Sequence, residues 1–130
     1  MTGKIFAVAF IILFILFSGG LTLAATHKLT DLGTLGGDTS GATAVNDEGQ
    51  VVGESATAGD HYPHAFLWTQ KGGMVDLGTL GGTTSRATAV NDAGQVVGES
   101  ATTGDRYSHA FLWTQKGGMV DLGTPGGTAK

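Results

Sequence analysis

The chain has 130 residues, a formal net charge of −4, 23 glycines and no cysteine. That length allows one modest domain. With no Lys/Arg cluster a nucleic-acid grip is excluded, and without cysteine there is no disulfide framework, thiolate metal site or thiol nucleophile.

The first element is a leader. Lys4 precedes an unbroken apolar run from Ile5 to Phe17, and the small-residue stretch "LTLAA" closes it. A short basic head, an apolar centre and small residues at the end describe a secretory signal peptide over residues 1–25. The apolar centre, 13 residues long, falls short of the roughly 20 that span a bilayer; an uncleaved anchor is the other reading. Cleavage after Ala24 or Ala25 sends the rest out of the cytoplasm. The expected location is extracellular or at the cell surface, the periplasm included, with membrane contact only during export.

After a lead-in over residues 26–30, the sequence repeats. Residues 31–75 and 76–120 are the same text at an offset of 45, differing at six positions: Asp38/Thr83, Gly41/Arg86, Glu48/Ala93, Ala58/Thr103, His61/Arg106 and Pro63/Ser108. A third copy opens at Asp121 and is truncated at residue 130. Each copy parses into four strands. In the first these are "ATAVN" (42–46), "QVVGES" (50–55), "HAFLWT" (64–69) and "MVDLG" (74–78). Gly49 or Gly94 supplies the positive φ of the first hairpin, while frequent glycine and the lack of a 3.6 period argue against helix.

Four antiparallel strands in 45 residues predict an all-β fold of β-propeller-like blades in an incomplete array, with a β-sandwich as the alternative. In "HAFLWT" both faces are apolar, Ala65 with Leu67 and Phe66 with Trp68, which calls for layers on both sides. Closed propellers use about four to eight blades, so two leave the ring open. The chain is therefore expected to self-associate head to tail through its open blade faces, or to fold poorly alone.

The phrase "DLGTLGG" (31–37, 76–82; "DLGTPGG" at 121–127) looks like a phosphate loop. It lacks the Lys-Ser/Thr and the helix of a Walker loop and the spacing of a dinucleotide fingerprint. It reads as the end of one sheet and the crossing to the next, with glycines where side chains resist the backbone angles.

The phrases "AVNDxGQVVGES", "HAFLW" and "DLGTLGG", in order and twice, resemble the bacterial extracellular repeat family named HAF after its His-Ala-Phe core. The resemblance covers residues 31–127. It implies an exported bacterial repeat protein, secreted or surface-associated, of undetermined molecular activity.

The residues offer little chemistry. His64 and His109 read as hydrogen-bonded strand-end histidines, since one ligand per repeat does not make a zinc site. Asp47 and Asp92 read as turn residues and not calcium ligands. Glu54 and Glu99 lack a fixed carboxylate partner, and Ser55 and Ser100 lack a nucleophile-elbow context. No catalytic residue, cofactor or metal is assigned. The recognition candidates are Asp60 and Tyr62 in "GDHYPH" and Asp105 and Tyr107 in "GDRYSH", where an aromatic ring beside a carboxylate suits a glycan or other surface ligand. The functional reading is a non-enzymatic extracellular binding or structural module. The alternatives are a polysaccharide-acting enzyme on a propeller scaffold and a non-functional gene fragment.

Overall fold

The β-prone runs between the glycine-rich phrases form eight strands, and the described residues contain no helix. The structure, a computed structural model, describes residues 28–59 and 61–124; the leader assigned to residues 1–25, Asp60 and the end of the third copy lie outside them. Lys28 to Gly33 belong to a unit of their own, Met1–Gly33, and carry a short turn in which the Gly33 amide donates to Asp31 Oδ1 at 2.9 Å. All eight strands lie in the second unit, Thr34–Lys130.

The strands are β1 (Gly36–Val45), β2 (Val51–Thr57), β3 (Pro63–Thr69) and β4 (Gly73–Gly78), then β5 (Gly81–Val90), β6 (Val96–Thr102), β7 (Ser108–Thr114) and β8 (Gly118–Gly123). They make two antiparallel four-stranded sheets in plain meander order, β1-β2-β3-β4 and β5-β6-β7-β8. The register of the first recurs in the second at the 45-residue offset. The fold is all-β, as the parse expects. Two stacked meanders of this kind are common to adjacent propeller blades and to a small sandwich.

The register sorts the side chains of each sheet onto two faces. Val52 pairs with Leu67 and Glu54 with Ala65; with Leu77 these make a leucine face. Val51 pairs with Trp68 and Gly53 with Phe66, which make a phenylalanine face. The leucine face of the first sheet packs on the phenylalanine face of the second. Val52, Ala65, Leu67 and Leu77 form one core with Ala87, Val96 and Phe111, flanked by Ala44, Leu80, Val90, Trp113 and Met119. Strand β5 makes most of this contact, lying against β1, β2 and β3. Burying an aliphatic or aromatic side chain fully stabilises by roughly 1.5–3 kcal/mol, and Phe111 and Val96 are both 0 % exposed.

Both faces of β3 are covered, Ala65 and Leu67 on one side and Phe66 on the other, as its two apolar faces require. The second sheet differs. Its leucine face is open: Val97, Val120 and Leu122 are exposed, and so is Ala110. Identical sequence meets two environments.

Strand β1 is longer than the sequence parse. It begins at Gly36, so the glycine pair of "DLGTLGG" enters the sheet instead of only crossing to it. Polar, glycine-broken "GGDTSG" carries no β signal, and two register irregularities against β2 interrupt the ladder. The glycines have separate causes. Gly36 takes φ 112°, whereas a Cβ on Gly37 would stand 2.6 Å from the Ala56 Cβ. The preceding turn is closed by Thr34, whose hydroxyl accepts from the Gly36 amide at 3.1 Å and donates to the Gly37 carbonyl at 2.9 Å.

Candidate functional site

Three polar constellations recur in both sheets, and all three are structural. Ser55 and Ser100, each 1 % exposed, accept the amides of Leu35 and Leu80 at 2.8 and 2.7 Å and donate to backbone carbonyls. A buried hydroxyl so engaged stitches the crossing segment to β2 or β6. In the second, His64 Nδ1 lies 2.9 Å from Asp76 Oδ1 and His109 Nδ1 2.9 Å from Asp121 Oδ1. The strand-end histidine thus has its partner across the β3–β4 or β7–β8 pair. The Gly123 amide, first, and then His109 hold the Asp121 carboxyl below its ordinary value of 3.8, because both hydrogen bonds favour the charged form.

The third is the "NDxGQ" turn. Asn46 Oδ1 accepts the amides of Glu48 and Gln50 at 3.0 and 2.9 Å, and Gly49 takes φ 80°, as the hairpin reading expects. The turns also contact one another. Asn46 Nδ2 donates to the Asn91 carbonyl at 2.7 Å, and the Asp47 amide donates to Asp92 Oδ1 at 3.0 Å. Asp92 therefore serves to join one unit to the next. Nearer mid-sheet, Thr43 Oγ1 donates to the Ala87 carbonyl at 2.8 Å and the Ala65 amide donates to Ser85 Oγ at 2.8 Å. Together these bonds form a polar seam beside the apolar core.

The recognition loops lie at the opposite ends of β2 and β6. Tyr62 and Tyr107 stand on separate loops, 49 % and 54 % exposed, and the backbone carbonyl of each is held by Thr57 or Thr102. The Arg106 guanidinium sits 5.8 Å from the Tyr107 ring centroid, within cation–π range. Asp105 takes φ 58° and accepts the Thr83 amide and hydroxyl at 2.7 and 3.1 Å. Its carboxylate is thus partly engaged in holding its own loop. Asp60 lies outside the described residues.

Between the loops is a depression of about 290 Å³. Pro63 and Ser108, the residues that follow the two tyrosines, both line it, as do Glu54, Arg86 and Glu99. Arg86 Nε donates to Glu54 Oε1 at 3.2 Å. The sheet packing thus brings Glu54 and Glu99, with no fixed partner in the sequence, onto one concave surface with an arginine between units. Sequence reasoning missed Arg86. Its signal was present, since Gly41/Arg86 is one of the six differences between the copies. Four of the others, Asp38/Thr83, Ala58/Thr103, His61/Arg106 and Pro63/Ser108, fall at the same end, in the loops or near the start of β1, β3, β5 and β7. Only Glu48/Ala93 sits at the far end, where both line a second, polar depression of about 480 Å³ with Gln50, Lys71 and Asp92.

Among the described residues no cluster of three or more His, Asp or Glu is placed to hold a metal ion. No protein-family profile, curated protein or solved structure matches the chain.

Proposed function

We propose that the chain is an exported, non-enzymatic binding module of the HAF-repeat type that recognises a polar extracellular ligand, a glycan foremost, at the loop end of its stacked sheets. The observation that carries this reading is the depression between the loops, with Glu54, Arg86 and Glu99 on its wall and Tyr62 and Tyr107 exposed on the loops that border it. Carboxylates and a guanidinium hydrogen-bond hydroxyl groups, and an exposed aromatic ring offers a face to sugar C–H groups. Five of the six differences between otherwise identical units fall at this end. Such variation on a constant scaffold is how loops acquire specificity.

A second reading, glycoside hydrolysis by Glu54 and Glu99, draws on the same depression, because that chemistry needs two carboxylates facing one ligand. Against it stands the bond from Arg86 to Glu54, which engages an oxygen of one of the two carboxylates that the chemistry needs free to face the ligand.

A glycan array probed with the exported protein separates the two. Binding without turnover is expected, reduced at least about tenfold by Tyr62→Ala with Tyr107→Ala, in line with the more than 1 kcal/mol that aromatic contact residues carry. Turnover abolished by Glu54→Gln or Glu99→Gln supports hydrolysis, and a blank array overturns the glycan reading.

A further inference from the structure

The open leucine face of the second sheet has a known complement, because the chain itself displays one. Val52, Ala65, Leu67 and Leu77 are covered by β5 and the phenylalanine face behind it. Their counterparts Val97, Ala110, Leu112 and Leu122 have the same identities and spacing and no sheet upon them. The complement is present too. Strand β1 is the counterpart of β5, and on it Ala42 and Val45 are exposed, Val45 to 64 %, where Ala87 is fully buried and Val90 partly so. The leucine face and the β1 edge of the internal joint thus recur, unjoined, at opposite ends of the same molecule; Val51 and Phe66 behind β1 are already covered, which leaves β1 to meet the next copy.

The geometry points to head-to-tail stacking of copies, in which β1 of one copy lies across β5, β6 and β7 of another as β5 lies across β1, β2 and β3 within the chain. This goes beyond ligand binding and does not depend on it. The polar seam supports the same register. Asn91 reproduces the cap of Asn46, accepting the Ala93 and Gln95 amides and donating to Gln95 Oε1. The bond that Asn46 sends to the next turn has in Asn91 an equivalent amide group for the Asn46 carbonyl of the next copy. One bond of the internal joint cannot be repeated. Where Arg86 meets Glu54, the joint between copies sets Gly41 opposite Glu99. The contact between copies is therefore weaker than the contact within the chain, so assembly is reversible and concentration-dependent. Because each copy offers one donor face and one acceptor face, the contact is heterologous and yields rings or filaments rather than closed two-fold dimers.

The missing ion pair supplies the test. A Cβ at Gly41 meets no atom within 4 Å, so Gly41→Arg is sterically free. Sedimentation velocity of the full chain over a range of concentrations is expected to show association strengthened by about two- to fivefold in Gly41→Arg, the range for an exposed ion pair. The gain should vanish when Glu99→Gln is added. Independently, full-length Gly41→Cys and Glu99→Cys, in a chain with no cysteine of its own, should be joined by a short bis-maleimide when mixed, and neither alone. Carrying both changes on one chain should give a ladder of multimers. Cross-linking of Glu99→Cys to itself as strongly as to Gly41→Cys would mean that two leucine faces pair symmetrically, and overturns the proposal. So does a chain that stays monomeric, or a Gly41→Arg gain indifferent to Glu99.

Discussion

Leu77→Ala is expected to lower the unfolding free energy by about 2–4 kcal/mol, the range for truncating a buried leucine, whereas Leu122→Ala should cost less than about 0.5 kcal/mol. The two residues occupy the same position of the same phrase, "MVDLG". Propensity, neighbours and strand register are equal, so any difference comes from what lies on the leucine face. Leu77 is 6 % exposed and belongs to the core between the sheets, while Leu122 is 56 % exposed. Urea denaturation in dilute solution, where copies do not stack, measures both. Val52→Ala and Val97→Ala, at 0 % and 39 % exposure, should split in the same direction by a smaller amount.

Gly53→Ala and Gly98→Ala should each destabilise by about 3 kcal/mol or more, at or above the upper end for overpacking. A Cβ at Gly53 would overlap the Gly41 carbonyl oxygen and crowd the Ala42 Cα, and one at Gly98 would overlap the Arg86 carbonyl. These are backbone atoms on the neighbouring strand and cannot swing aside. Relief requires parting β1 from β2, or β5 from β6, at the irregularity in their register between Ala42 and Ala44 or Ala87 and Ala89. Gly49→Ala provides the contrast. Its added Cβ has open space, but φ 80° places alanine in the left-handed region at about 1–2 kcal/mol. The turn glycine, the more conspicuous of the two in sequence, should be the more replaceable.

That reversal illustrates where the sequence was legible. β-prone runs and turn chemistry carried β2, β3 and β4 to within a residue or two, because Val51, Phe66 and Met74 are apolar residues in runs bounded by glycine-containing turns. The first half of β1 was hidden, since Gly37, Asp38 and Gly41 have weak strand propensity and the segment is held by pairing with β2. The two apolar faces of "HAFLWT" announced that sheets must stack. The count of two units announced open outer faces, but not that Val51 and Phe66 would be covered while Val97 and Leu122 are exposed, because identical text cannot encode a difference of environment. The site followed the same pattern. Tyr62 and Tyr107 were readable as exposed loop aromatics, whereas the meeting of Glu54, Arg86 and Glu99 depends on which face of one sheet meets which face of the next.

The central claim is that the two units pack leucine face on phenylalanine face, with the Ala65 amide donating across the joint to Ser85 Oγ, 3 % exposed at residue level. Ala110 occupies the same place in the second unit, is preceded by the same histidine, and is exposed. Intrinsic exchange rates of the two amides are therefore closely matched, and native-state hydrogen exchange resolved by NMR in dilute solution isolates the effect of the joint. The account predicts strong protection at Ala65, lost in Ser85→Ala, and exchange at Ala110, which is exposed where Ala65 is buried, at least about tenfold faster. Equal protection at Ala65 and Ala110, or protection at Ala65 indifferent to Ser85→Ala, would contradict it.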